Sequence, residues 1–230
     1  MITIPIKQLI GAVLFDVDGV VVESELLHLL TFNELLQPFD IHISESEWKT
    51  RFLGAGSATV MTTLFKEHSI TQDPAPWVDK RRELYRQHVA QGDLQPVPGF
   101  LDFYQSIQKA HLPVAFVSTG HPLSLSAALE HLGLEGKHPV IDVTKVKRLK
   151  PDPEAYLLGA QTLQVPPRQC LVFEDSPIGI AAAKSADMLC VGLTTTNPEK
   201  DLKNADLVIQ DFQNWTIQTI LDTIGGQIGN

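Results

Sequence analysis

The chain has 230 residues, 43% of them hydrophobic and 20% charged, and its 18 Lys and Arg face 27 Asp and Glu for a formal net charge of −9. At about 100–200 residues per domain this is one substantial core with room for a modest insertion, and disorder or coiled coil is excluded as the main state. Such an acidic surface repels nucleic-acid backbones and anionic lipids, so neither class of partner is expected. A small anionic substrate stays open, because a metal and a few local cations reverse the sign inside a cleft.

The first apolar run, residues 9–15, stops at Asp16. It is too short to span a membrane and reads as a buried strand over Ala12–Phe15. Residues 24–96 hold no convincing strand. Helices are expected at Glu25–Leu36, after the capping box Ser44-x-x-Glu47 ahead of Trp48, over 57–68, and from Asp73-Pro74 to residue 90. Gln95-Pro96-Val97-Pro98-Gly99 reads as the return hinge of this insertion. Beyond it, apolar runs at Val114–Val117, 140–143, 170–173, Leu189–Leu193 and Leu207–Ile209 are continuous rather than alternating, as in a parallel sheet buried on both faces. Helices intervene: residues 122–132 end at Gly133, Asp152-Pro153 opens another, and Ala181-Ala182-Ala183-Lys184 is strongly helix-forming. The fold class expected is α/β, a doubly wound parallel-sheet core (1–23 and 97–230) carrying an inserted α-helical cap (24–96). Residues 225–230 read as a frayed tail. Cys170 and Cys190, each in an apolar run, are expected to be buried and reduced, and the protein cytoplasmic. Trp48, Trp77 and Trp215 read as packing anchors.

Four clusters fall at or near strand ends, where open α/β sheets bind ligands. Phe15-Asp16-Val17-Asp18-Gly19 ends the first strand. Residues two apart on an extended chain point the same way, so both carboxylates face one site and repel unless a cation lies beside them or one is protonated. Val117-Ser118-Thr119-Gly120 offers a hydroxyl and amides to an oxyanion, although a plain helix cap explains the same residues. Lys150, in Arg148-Leu149-Lys150-Pro151-Asp152-Pro153, has its backbone fixed between a strand and a proline-started helix. Phe173-Glu174-Asp175-Ser176 ends a further strand. Two adjacent acids closing a buried strand are hard to explain by packing, and with Asp16 they form an oxygen-rich set suited to Mg²⁺.

In this order the four clusters resemble the haloacid dehalogenase superfamily of phosphotransferases, in its phosphoglucomutase-like, CbbY-type branch, whose helical cap is inserted at the same place. Asp16-x-Asp18-Gly19-Val20 with Glu23-Ser24 matches motif one and Ser118 motif two; Lys150-Pro151-x-Pro153 matches motif three, and Glu174-Asp175-Ser176-x-x-Gly179-Ile180-x-Ala182-Ala183 motif four. Val20 replaces the commoner Thr, Glu23 the commoner Asp, and Asp187 stands where Gly often follows Ala186; none of these removes a catalytic group. The resemblance implies a Rossmann-like core and Mg²⁺ as cofactor. It implies Asp16 as a nucleophile forming an aspartyl-phosphate, and Asp18 as general acid and then base, its backbone carbonyl also on the metal. Asp175 is implied as a direct metal ligand, Glu174 as one directly or through water, and Ser118, Thr119 and Lys150 as holding the phosphoryl oxygens.

An acid at position 18 fits the family's phosphatases and phosphomutases. A dehalogenase has no alkoxide to protonate, and the transport ATPases carry Thr there. His28, twelve residues after Asp16, stands where a mutase histidine couples cap closure to proton transfer, and several phosphatases share it. Arg51-Phe52-Leu53-Gly54-Ala55-Gly56-Ser57 resembles the family's substrate-specificity loop. Mutases typically carry basic residues beside and after that glycine, whereas this chain has Leu53 and Ser57, leaving Arg51 as the nearby cation. The expectation is a Mg²⁺-dependent phosphatase of a small phosphorylated metabolite such as a sugar phosphate, with Arg51, His28 and Gly54 among the substrate-binding residues. A β-phosphoglucomutase-type mutase and a catalytically silent α/β binding module remain the alternatives. His121, after the Ser118 loop, is open between touching substrate and a helix-surface role. A monomer is expected, with a dimer left open.

Overall fold

The computed structural model describes residues 10–228, so Leu9 of the first apolar run and the last two residues of the tail lie outside it. Six parallel strands make one sheet: β1 (Ala12–Phe15), β2 (Val114–Val117), β3 (Val140–Ile141), β4 (Cys170–Glu174), β5 (Leu189–Leu193) and β6 (Leu207–Ile209), in the order β3-β2-β1-β4-β5-β6. The chain winds outward from β1 in one direction through β2 and β3, and in the other through β4, β5 and β6. The order therefore reverses between β1 and β4, where a crevice opens at the carboxyl ends of the strands.

The continuous apolar strands divide between two layers because alternate residues face opposite sides. Val13, Phe15, Phe116, Leu171 and Phe173 pack with helices α4 (Phe100–Lys109), α5 (Pro122–His131) and α8 (Ile217–Ile228). Leu14, Val117, Cys170, Val172 and Cys190 pack with α6 (Glu154–Leu163) and α7 (Pro177–Ser185) on the other face. Phe15 stands directly before the site and is pinned by rings on several sides, with Phe173 at 5.1 Å and Phe100 at 5.4 Å between centroids. Burying such a side chain contributes roughly 1.5–3 kcal/mol. Both cysteines are free and buried.

Residues between the two core segments are helical: α1 (Glu25–Leu36), a short turn of helix at Glu45–Glu47 continuing into a wide turn at Trp48–Phe52, α2 (Ser57–Glu67) and α3 (Ala75–Gln91). Their apolar sides close on a separate cluster that includes Phe32, Trp48, Phe52, Met61 and Phe65. The connecting strands run side by side, with Val97 N donating to Val21 O at 3.0 Å and Glu23 N to Gln95 O at 2.9 Å. Leu27, Tyr85 and Val89 join the first core layer, and α3 packs on α5.

Two expectations are corrected. The strand expected at 140–143 ends at Ile141, because Asp142 Oδ1 accepts from Thr144 N at 2.9 Å and turns the chain. The tail is not frayed from residue 225, since α8 runs through Ile228. Its buried Ile217, Ile220, Leu221 and Ile224 outweigh the weak helix propensity of Gly225 and Gly226. Among the described residues no helix is long and apolar enough to cross a membrane.

Candidate active site

Asp16 leaves β1 at the strand-order reversal, flanked by β2 and β4, and is buried. Lys150 reaches it from the loop ahead of α6. Its ammonium donates to Asp16 Oδ1 at 2.5 Å, Glu174 Oε1 at 2.7 Å and Val117 O at 3.1 Å, so all three N–H groups are used. Burial alone favours a neutral lysine, but the two carboxylates outweigh it and hold Lys150 above its ordinary value. For Asp16 burial is the largest influence. It pushes the carboxyl up to about 8 against the pull of Lys150, with Glu174 and Asp18 adding to the rise. One ammonium does not offset this many buried carboxylates.

Glu174, at the end of β4, has both oxygens engaged. Oε1 accepts from Lys150 and from the Tyr156 hydroxyl at 2.8 Å; Oε2 accepts from the backbone N–H groups of Asp175 and Ser176, both at 3.1 Å, and from Ser176 Oγ at 2.9 Å. The start of α7 closes over this carboxylate so tightly that a Cβ on Gly179 would lie 1.7 Å from Oε1. Ser176 Oγ in turn accepts from Gly179 N at 3.1 Å, capping the helix. Asp175 faces the other way, toward Gly19, where a Cβ would come within 2.0 Å of its Oδ2. The loop after β5 secures it: the Thr196 hydroxyl donates to Oδ2 and Asn197 Nδ2 to the Asp175 carbonyl at 3.0 Å, while Thr195 donates to the Gly19 carbonyl. Burial, then Glu174 and Asp16, push Asp175 well above the usual carboxylate range.

This surplus of buried negative charge and hard oxygen donors fits a divalent cation. Among the described residues no set of three or more His, Cys, Asp or Glu side chains is arranged to hold a metal by itself. Asp16 and Asp175, however, each keep one carboxylate oxygen without a hydrogen bond from a described residue. One or two carboxylates completed by water and substrate phosphate is the coordination Mg²⁺ favours.

Asp18 lies in a separate hydrogen-bonded group. Its Oδ1 accepts from Ser24 Oγ at 2.5 Å and lies 3.4 Å from His28 Nε2. Burial pushes Asp18 up, but the hydrogen bonds from His28 and the Ser24 hydroxyl and the Arg81 charge together hold it below the ordinary carboxylate value. His28 stacks on Tyr85, centroids 4.9 Å apart, and takes a hydrogen bond at Nδ1 from Arg81. Arg81 is 2% exposed; it donates also to Thr31 Oγ1 at 3.1 Å and Ser57 Oγ at 3.2 Å. Burial lowers it to about 10, opposed by Asp18 and Glu25 among others.

The remaining expected residues are spread more widely. Ser118 is buried beside Val117, whose carbonyl holds Lys150, and its Oγ accepts from Gly120 N at 2.9 Å. Thr119 is exposed at the same loop. Arg51 donates to Glu67 Oε1 and Oε2 at 2.6 and 2.7 Å and to Glu47, and lies over the Phe52 ring. Gly54 turns with φ +71° in open space. Sequence reasoning did not single out Arg81, Tyr156, Thr195, Thr196 or Asn197. The hydroxyl-rich run at the end of β5 carried a usable signal, because it too lies at a strand's carboxyl end. Arg81 carried none, since Lys80-Arg81-Arg82-Glu83 reads as an ordinary solvated helix face.

A family profile described as haloacid dehalogenase-like hydrolase matches residues 10–187. The chain is 31% identical over 209 residues to validoxylamine A 7'-phosphate phosphatase of Streptomyces hygroscopicus subsp. limoneus, covering 86% of this chain and 92% of that protein. It is 31% identical over 121 residues to hexitol phosphatase A of Escherichia coli (strain K12), covering 53% of this chain and 56% of that one. The crystal structure of CbbY from Rhodobacter sphaeroides in complex with phosphate superposes with a TM-score of 0.79 at 26% identity, covering 89% of this chain and 96% of the other.

Proposed function

The chain belongs to the haloacid dehalogenase-like hydrolase family, and from that premise we propose that it is a Mg²⁺-dependent phosphatase that hydrolyses a small phosphorylated metabolite, of the sugar-phosphate type, through an aspartyl-phosphate on Asp16. The observation that carries this reading is the buried ammonium of Lys150 set between Asp16 and Glu174 at the strand-order reversal, a cation positioned for an incoming phosphoryl group. Asp16 supplies the attacking carboxylate oxygen. Ser118 and Thr119 supply hydrogen bonds to the phosphoryl oxygens, and Lys150 supplies charge, since this transfer depends chiefly on positioning and electrostatics.

Asp16, Asp175 and the Asp18 carbonyl would hold the cation, and Glu174, whose oxygens are engaged by Lys150, Tyr156 and the start of α7, would support the site from behind. When bound, Mg²⁺ supplies the positive charge that lets Asp16 stay ionised and that offsets the phosphoryl oxygens. Asp18 serves as proton donor to the leaving oxygen and then as base toward the attacking water. His28 and Ser24 favour its ionised form, and the negative charge of the arriving phosphoryl group raises its proton affinity for the first half-reaction. The named relatives, a validoxylamine phosphate phosphatase and a hexitol phosphatase, act as their names state and support the same reaction class. The mutase alternative gains no support from Arg51, which is held by Glu47 and Glu67.

The test is phosphate release from p-nitrophenyl phosphate and a panel of sugar and polyol phosphates. Hydrolysis that needs added Mg²⁺, stops on chelation and is abolished in Asp16→Asn is the expected result. Full activity of Asp16→Asn overturns the assignment.

A further inference from the structure

We propose that Tyr156 is a positioning residue for phosphoryl transfer: its hydroxyl shares Glu174 with Lys150 and so keeps the ammonium turned toward Asp16. This rests on the phosphatase reading above and adds to it a residue that acts only through Lys150 and Glu174.

Tyr156 is the third residue of α6, a helix that packs on β1 and β2. It is fully buried and belongs to the apolar layer of Leu14, Val117 and Val172. That layer needs only the ring. A hydroxyl placed there is costly unless it finds a partner, and phenylalanine fills the same space without that demand. The partner is Glu174 Oε1, which accepts from the hydroxyl at 2.8 Å.

Glu174 does not need this bond in order to be buried. A carboxylate accepts about four hydrogen bonds. Glu174 already takes Lys150 on Oε1, and the N–H groups of Asp175 and Ser176 and the Ser176 hydroxyl on Oε2. Neither packing nor the satisfaction of a buried charge explains the tyrosine.

What the hydroxyl changes is the pull of Glu174 on Lys150. The ammonium stands between two carboxylates, Glu174 at 1% exposed and Asp16 at 8%. Attraction between charges grows as water is excluded, so the drier Glu174 is expected to hold the ammonium more closely. The distances run the other way, 2.5 Å to Asp16 Oδ1 against 2.7 Å to Glu174 Oε1. The hydroxyl on the same Oε1 accounts for this, because its hydrogen bond offsets part of the negative charge that Lys150 otherwise meets. The ring adds a second hold, with Lys150 Nζ lying over it at 4.8 Å from the centroid. One side chain thus addresses both members of the pair.

The experiment measures kcat and KM for p-nitrophenyl phosphate at saturating Mg²⁺, and the binding of inorganic phosphate by calorimetry. It compares wild type, Tyr156→Phe, Glu174→Gln and the double variant. Tyr156→Phe keeps the ring and its volume, so the fold is retained. Its kcat/KM is expected to fall about tenfold and phosphate to bind about tenfold more weakly, the scale of one hydrogen bond to a charged group. In the Glu174→Gln background the same change costs less than about twofold, because a neutral amide does not draw on the ammonium. Phosphate binding reads this cycle even where Glu174→Gln has no turnover. Wild-type kcat/KM and phosphate affinity in Tyr156→Phe, or an equal loss in both backgrounds as packing alone gives, overturns the inference while leaving the phosphatase reading intact. Failure of the wild-type chain to release phosphate from p-nitrophenyl phosphate overturns that reading, and this inference with it.

Discussion

Arg81 donates to Nδ1 of His28, so the ring's proton is carried on Nε2, 3.4 Å from Asp18 Oδ1. A cation buried among the inserted helices thereby sets which nitrogen of His28 addresses the carboxylate proposed as acid and base. The packing of those helices and the proposed proton transfer meet in two side chains.

Arg81→Met removes that constraint and leaves Nδ1 free. We expect kcat for p-nitrophenyl phosphate to fall between about tenfold and a hundredfold, within the range attributed to a positioned acid–base group. The buried hydroxyl of Thr31 also loses the guanidinium donor while keeping its own bond to Leu27 O, so thermal stability falls by about 1 kcal/mol for one hydrogen bond. An unchanged kcat in a folded variant contradicts the coupling.

His88 carries a pH-dependent part of the stability. It contacts Asp93 at 2.6 Å and Glu34 at 2.9 Å, tying α3 to α1, and these bonds, that to Asp93 first, raise it above 6.5. A group raised on folding stabilises fully below its unfolded value, and the contribution disappears as pH rises through the folded value. The melting temperature of His88→Gln should therefore lie below wild type at pH about 5.5, with the gap closing by about 8.5. A gap independent of pH contradicts the assignment.

Gly179 is required by the carboxylate it covers. A methyl group there would meet Glu174 at 1.7–2.2 Å, so Gly179→Ala displaces either Glu174 or the start of α7. Because Glu174 anchors Lys150, phosphatase activity should drop by at least about a hundredfold, as expected when a misplaced group disturbs the reacting geometry. Wild-type activity in this variant means the closure over Glu174 is not needed.

Thr196→Val takes the hydroxyl from Asp175 while keeping the shape of the side chain. Loss of such a supporting bond typically weakens metal affinity about 10- to 100-fold. The Mg²⁺ concentration giving half-maximal activity, and the Mg²⁺ dissociation constant from calorimetry, should both rise in that range. An unchanged dissociation constant separates Thr196 from the metal site.

The strands were legible because a sheet buried on both faces writes itself as short apolar runs, and β1, β2, β5 and β6 lie where those runs lie. β3 was shortened by an Asp142–Thr144 hydrogen bond, and the helix through Gly225 and Gly226 is held by packing of residues well before them. Neither effect shows in composition. The acids and Lys150 were legible for a related reason: adjacent or alternate carboxylates ending buried strands have no packing explanation, so they declare a site.

The cap's cations were not legible. Arg51, Arg81 and Arg82 look alike in the sequence, yet one is paired at the surface, one is buried behind His28, and one keeps an unfilled buried donor. The sequence alone determined the α/β class, the inserted helices and the strand-end groups, because periodicity and strand termini are local properties. Only the tertiary structure decided which cation meets which partner, and that Glu174 is saturated by Lys150, Tyr156 and the start of α7. Desolvation and hydrogen-bond pairing depend on helices that meet across long separations in the chain, and no local pattern records them.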